Sequence, residues 1–301
     1  MLRPATPSAE ITLEIAIVLT IGAVAIFVGV MWLLLRALQQ RERRPVTAWK
    51  WLIGGGIVFP VVVLSALLAY STARTIQLLP AQDGLVIEVS GVQWWWEVRY
   101  RDPATGREVR SANEVRVPAG RPVTLGLTTA DVIHSFWIPA LGGKVDMIPG
   151  RVNQLRVQVT QPGVHRGVCA EFCGDQHAKM ALHVVAMVPA EFDAWLAAQA
   201  VPASAPSSAL AQLGQRVFGE QRCSVCHSVR GIAEASQLGP DLTHVASRLY
   251  LGAGELPTRS DNFRHWVANV QHIKRGARMP TYDHLDEQAL TALAEFLDGL
   301  K

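Results

Sequence analysis

Cysteine is scarce: the 301 residues contain four, grouped as Cys169 with Cys173 and Cys223 with Cys226. That excludes a small fold held by many disulfides. Charge is thin as well, with 18% charged residues and a net of +3, too little to build the basic field that holds a nucleic-acid backbone. Two long stretches lack charge altogether. Ile15 to Leu35 and Trp51 to Ala73 contain no Asp, Glu, Lys, Arg or His. Each exceeds the roughly 20 residues that cross a hydrocarbon core, so two membrane helices are predicted, at about 14–38 and 49–73. A cleaved signal peptide fits the first poorly, because signal cores run about 7–15 residues and end at a small-x-small site that does not follow here. In the second, Gly54, Gly55, Gly56 and Pro60 are tolerated because neighbouring groups in a membrane helix can satisfy a freed carbonyl.

The charge near these spans is lopsided. Arg36, Arg41, Arg43, Arg44 and Lys50 lie between them against the single acid Glu42, while the N-terminal tail holds only Arg3 and the stretch after the second span begins with Arg74. The positive-inside rule puts the loop in the cytoplasm and both termini on the outer face. A basic loop set this tightly between apolar spans is a topology signal, with no nucleic acid as partner.

Residues 1–80 therefore form a tail and a membrane hairpin. From Leu85 to Val188 the chain breaks into short alternating or β-branched runs at 85–89, 92–100, 114–117, 122–128, 152–160 and 181–188. Gly and Pro punctuate them, the pattern of an antiparallel sandwich or barrel, and this domain is set at 81–198 with a short closing helix over 191–198. Small residues with Pro202 and Pro206 make 199–209 a flexible linker. The last domain, 210–301, opens on a helix at 213–218 and closes on one at 286–300, where Leu290, Leu293, Phe296 and Leu297 recur at helical spacing. No internal repeat joins the two soluble halves.

The few cysteines stand where metal chemistry needs them. The run CAEFCGDQHAKM, from Cys169 to Met180, puts two thiolates, an imidazole and a thioether on one loop, with a second imidazole upstream at His134. Soft sulfur selects copper over oxygen-seeking cations, and imidazole suits either copper oxidation state. Two cysteines separated by three residues can each bridge two metals, leaving one histidine for each copper. Such a pair shares one electron with little movement, so the implied chemistry is electron transfer. The alternative for CxxxC is a structural disulfide, which has no use for His177 and Met180 at fixed offsets. Cys223, Cys226 and His227 form CSVCH, read as covalent c-type haem attachment with His227 on the iron. A chance match or a thioredoxin-like pair is the alternative there.

The copper loop, together with DVIHSFWIP at 131–139 and KVDMIPGR at 144–151, closely resembles the copper A domain of subunit II of haem-copper cytochrome c oxidases. The stretch after the linker, with GPDL at 239–242, Trp266 and RMP at 278–280, resembles a class I cytochrome c domain, although Val270 and Arg275 stand where that family often has prolines. The pair is the arrangement of caa-type oxidases. The resemblance implies a cupredoxin-like Greek-key barrel followed by an all-α cytochrome domain. It implies His134, Cys169, Cys173, His177 and Met180 as ligands of dinuclear copper A, with the Glu171 backbone carbonyl as a weak extra ligand. Met279 becomes the distal ligand of haem c, and the Pro240 carbonyl accepts the free ring N–H of His227. In QWWWE, at 93–97, the first aromatic, Trp94, would receive electrons; for Trp95 and Trp96 plain packing is the better reading, and in a strand Trp94 would share a face with Trp96. The Glu171 carboxylate would help bind magnesium at the boundary with the catalytic subunit.

By the same resemblance the partners are oxidase subunit I, subunit III, an external cytochrome or other donor, and the lipid bilayer, with both metal domains on the periplasmic side of a bacterial cytoplasmic membrane. Two other readings share the motifs: the copper A subunit of a nitric oxide reductase, and a free-standing membrane electron carrier. With no histidine in its spans the chain cannot hold a haem–copper reaction centre, so dioxygen reduction falls to another subunit. Many related subunits have a glutamate at the start of the second span; this chain has Ile53 there, seven residues before Pro60, and no proton role is carried over. His244, His265, His272 and His284 are competitors for the place of Met279, while His165 and His183 match no ligand position.

Overall fold

A computed structural model of the chain describes residues 3–39, 47–76, 85–101, 106, 108–234, 236 and 238–301. Helix α1 spans Pro7–Gln39; the second apolar segment is helix α2, Ala48–Ile53, a π-helical turn, Gly54–Val58, and helix α3, Phe59–Thr75. Both segments are long and apolar enough to cross a membrane, and both extend a few residues past the charge-free runs. The wide turn falls on three successive glycines, where no Cβ resists the altered backbone. Tyr70 donates from its hydroxyl to Glu14 Oε1 at 2.9 Å, and Arg74 pairs with Glu14 Oε2, which ties α1 to α3. Arg41, Arg43 and Arg44, which carry the topology argument, lie outside the described residues.

The first helix is also fastened to the domain beyond it. Thr6 caps α1 by accepting from Ala9 N–H at 3.1 Å while its hydroxyl donates to the Leu141 carbonyl at 2.8 Å. Ala5 N–H donates to Ala140 at 2.8 Å, and Thr160 N–H donates to Ala5 at 2.9 Å.

Ten strands follow: β1 Leu85–Val92, β2 Trp95–Arg101, β3 Glu108–Ala112, β4 Glu114–Pro118, β5 Val123–Thr129, β6 His134–Trp137, β7 Val145–Met147, β8 Asn153–Val157, β9 Gly163–Cys169 and β10 Ala181–Met187. They form two five-stranded sheets, ordered β3-β2-β1-β5-β8 and β4-β10-β9-β6-β7. The parallel neighbours β1 with β5 and β4 with β10 are the crossovers of a Greek key. Alternate side chains fill the space between the sheets, among them Ile87, Val89, Trp96, Val98, Tyr100, Leu125, Leu127 and Phe136. Helix α4, Pro189–Gln199, closes the domain with Phe192 and Leu196. One expectation fails: the strand foreseen over 92–100 is broken by a turn at 93–94, so Trp94 does not share a face with Trp96. Trp96 is fully buried in the core, whereas Trp94 stands in the turn.

The C-terminal domain has helices α5, Ala209–Glu220, α6, Ser260–Ile273, and α7, Glu287–Asp298. It is not purely helical, since β11, Tyr250–Leu251, pairs with β12, Leu256–Pro257. Ser208 and Asp286 cap α5 and α7 through their side chains. The expected loose tether is partly held down: His244 Nε2 lies 2.9 Å from the Val201 carbonyl and Ala203 N–H donates to Arg230 at 2.9 Å. These bonds replace the picture of two domains joined only by flexible chain.

The two soluble domains also meet directly. Ala181 N–H donates to Ala253 at 3.1 Å, Leu249 N–H to Glu114 Oε2 at 2.8 Å, and Arg116 Nη2 to Ser247 at 2.8 Å. His183 stacks on Tyr250 with ring centroids 4.4 Å apart.

Helices α5 and α7 cross at Gly214, where an added Cβ would lie 2.0 Å from the Ala292 carbonyl oxygen. Helix backbone cannot yield as a side chain can. Gly214→Ala is therefore expected to destabilise the C-terminal domain by about 1–3 kcal/mol or more, read as an earlier denaturant midpoint for that domain; an unchanged midpoint would show that the crossing is looser than drawn.

Candidate metal centres

The copper loop runs from the end of β9 to the start of β10, and His134 arrives at the start of β6, whose Phe136 pairs with Cys169. The backbone ties these pieces together: Cys169 N–H donates to Met180 at 3.0 Å and Ala170 N–H to Ser135 at 3.0 Å. The donor atoms converge. Cys169 Sγ lies 3.8 Å from Cys173 Sγ, 3.8 Å from His134 Nδ1 and 3.1 Å from the Glu171 carbonyl oxygen. Cys173 Sγ lies 3.6 Å from His177 Nδ1 and 3.8 Å from Met180 Sδ. All four cysteines are free thiols, and a 3.8 Å separation is far beyond a disulfide's roughly 2.05 Å. One histidine and the carbonyl attend one cysteine, while the other histidine and the thioether attend the second. Soft donors of this kind fit copper.

His134 is fully buried and its ring is set from the far side, where Nε2–H donates to Asp131 Oδ1 at 2.8 Å. That leaves the Nδ1 lone pair free to bind a metal, facing sulfur. Burial opposes ionisation of Asp131, yet the bonds from Gln93 N–H, His134 and Val132 N–H outweigh it and hold its carboxyl below the usual range. The hydrogen bond with Cys173 chiefly lowers the Cys169 thiol pKa, with His134 adding to it against burial, and Cys173 is pushed up in return.

Cys223, Cys226, His227, Pro240 and Met279 all line one cavity of about 380 Å³ in the C-terminal domain. His227 Nδ1–H donates to the Pro240 carbonyl at 2.8 Å, as the sequence led us to expect. Burial lowers the His227 pKa, which favours the neutral ring that a metal needs. Gly239 is a tight neighbour, since a Cβ there would lie 2.8 Å from His227 Cε1. An apolar cradle with two thiols beside a neutral imidazole and a thioether in its wall fits a covalently held haem. The competing histidines do not line the cavity, and His244 is engaged with the Lys301 and Val201 carbonyls.

Gln93, Trp94 and Trp95 of the copper domain line the same cavity. Trp94 Nε1–H also donates to the Cys173 carbonyl at 3.0 Å, and Gln93 Nε2 donates to it at 2.8 Å. One indole thus touches both candidate centres.

Residues 102–188 match the family model described as cytochrome c oxidase subunit II, periplasmic domain, and residues 211–301 match the one described as cytochrome c. The chain is 32% identical to a cytochrome c oxidase subunit 2 of Bacillus subtilis, over 81% of this chain and 70% of that one. It is 37% identical to a cytochrome c oxidase subunit 2 of Alkalihalophilus pseudofirmus, over 71% of this chain but 61% of that one. Among solved structures it is similar to the periplasmic domain of subunit II of cytochrome oxidase of Bradyrhizobium japonicum, at 33% identity over 40% of this chain and 96% of that one, with a TM-score of 0.38.

The chain belongs to the cytochrome c oxidase subunit 2 family. Within this subunit 2 chain, sequence reading passed over residues that touch no metal. Asp131 stood in a quoted motif without a role, yet it orients His134. Arg248, from a stretch without a motif, is buried in the cavity wall with its Nε unpartnered. Gly91 in β1 had no local signal either, because its reason is tertiary: a Cβ there would lie 2.6 Å from His134 Cδ2. Gly91→Ala should push the imidazole off its sulfur neighbour and lower copper content per haem, with the haem spectrum unchanged. Wild-type copper content in that variant would mean the ring has room to move.

Proposed function

We propose that this chain is the electron relay of a caa-type terminal oxidase, receiving electrons at haem c, passing them to dinuclear copper A and onward to a separate subunit that reduces dioxygen to water. The observation that carries this is Trp94, which lies in the wall of the haem cavity and hydrogen-bonds the carbonyl of Cys173. Bound copper and haem would supply the one-electron chemistry. The chain supplies position: His134, Cys169, Cys173, His177, Met180 and the Glu171 carbonyl would hold copper, while Cys223, Cys226, His227 and Met279 would hold haem. Arg248, a buried cation with an unspent N–H in the cavity wall, would face a haem carboxylate.

The relay reading also places the partners. Phe172 stands 76% exposed on the copper loop, and Val132 and Ile133 are exposed just before His134. That apolar face suits subunit I, with subunit III farther out, and the metal domains on the periplasmic side of a bacterial cytoplasmic membrane. External donors would deliver to the haem domain. Glu171 pairs with Lys144 at 3.3 Å, and Lys144 also holds Asp146 at 2.9 Å; magnesium at Glu171 would have to displace that lysine when the subunits join. The relatives' shared name favours an oxidase over a nitric oxide reductase.

Two measurements test the proposal. The purified complex should consume oxygen in preference to nitric oxide, and the reverse would assign it to the other enzyme class. Trp94→Ala should slow copper reduction after flash reduction of haem c by at least severalfold, without shifting either potential. An unchanged rate would return Trp94 to a packing role.

A further inference from the structure

Lys274 is the last residue a soluble domain would be expected to bury. It follows α6, is 4% exposed, and makes no carboxylate contact within salt-bridge distance among the described residues. An ammonium removed from water costs several kcal/mol unless its donors are met. Here they are met by backbone. Nζ donates to the Trp94 carbonyl at 2.7 Å, the Lys179 carbonyl at 2.6 Å and the Gly252 carbonyl at 3.0 Å. Three N–H groups have three acceptors, the full capacity of an ammonium. Burial accordingly lowers the Lys274 pKa to about 8.

The origin of those acceptors is what matters. Gly252 belongs to the haem domain, in the turn between β11 and β12. Trp94 and Lys179 belong to the copper domain: the first is the indole shared by both centres, and the second immediately precedes Met180. Behind Lys274 the chain leads directly to Met279, and Gln271 holds that segment by donating to Ala277 at 2.8 Å and Met279 at 2.7 Å.

We propose that Lys274 is a positioning residue, an interdomain latch that fixes the haem cavity against Trp94 and the copper loop and so sets the rate of haem-to-copper transfer. The inference rests on the relay reading above. The latch acts through geometry alone, since Lys274 is assigned to neither metal. Lys274→Met keeps the stem and removes all three donors, leaving carbonyls of both domains without a partner.

The test uses the full metal-loaded chain in detergent. In Lys274→Met, transfer from flash-reduced haem c to copper should fall by at least about tenfold, the scale set by losing hydrogen bonds to a charged group, while both spectra and both potentials stay as in the wild type. After cleavage within Pro206 to Ser208, wild-type fragments should copurify and Lys274→Met fragments should separate. Should the Met variant fail to load both metals, Lys274→Gln, which keeps two donors on a shorter stem, is read in its place with the same expected direction. A wild-type transfer rate, or fragments that copurify as the wild type does, would overturn the latch alone. Absence of haem-to-copper transfer in the wild-type chain would overturn the latch and the relay together.

Discussion

The carbonyl of Cys173 is the point at which the two candidate metal sites are joined. It accepts from the Gln93 amide and from the Trp94 indole, so the turn between β1 and β2 is tied to the copper loop at a residue whose thiol is itself a candidate ligand. A peptide oxygen with two neutral donors gains about 1 kcal/mol from each, a modest amount. Its structural leverage is larger. The bonds seat an aromatic ring against the loop on one side and the haem cavity on the other, and they hold the copper loop from outside the set of atoms that would bind metal.

The same logic recurs around each site: rigidity comes from bonds made by atoms not needed for ligation. Asp131 sets His134, the Pro240 carbonyl sets His227, and Gln271 holds the segment carrying Met279. An electron-transfer site works best when little moves as charge arrives, so ligands fixed by the fold serve it better than ligands gathered by the metal. The close approaches at Gly91 and Gly239 belong to this economy, since any Cβ there would press on the very imidazoles that must not shift.

Much of this was legible in the sequence, for reasons that differ by element. The spans announced themselves because a bilayer tolerates no charge over their length. The candidate ligand residues stood out because thiol, imidazole and thioether at short fixed offsets serve few other purposes. Strands β3, β6, β7 and β9 were missed because they are short or carry charges and glycines that blur alternation; His134 itself begins one of them. The turn at 93–94 was hidden inside an aromatic run that reads as continuous strand. Least legible were Lys274, Arg248 and Gly91. Nothing within several residues of any of them hints at its role, because each acts on a partner far along the chain.

The docking of the soluble domains changes how their connection should be understood. A flexible tether alone gives an effective concentration in the millimolar range, and a contact with a dissociation constant near a millimolar, worth about 4 kcal/mol, would then be half formed. The observed contact includes the Lys274 carbonyl cluster, the buried Glu114 with its bond from Leu249 N–H, and the stacked His183 and Tyr250. Hydrogen bonds involving charged groups contribute about 1.5–3 kcal/mol each, so a few of them exceed what half-occupancy requires even after desolvation is subtracted. The docked arrangement is then the resting state and separation the exception. With Gln93, Trp94 and Trp95 of the copper domain turned into the haem cavity, the relay proposed above would take its electrons at the haem domain first.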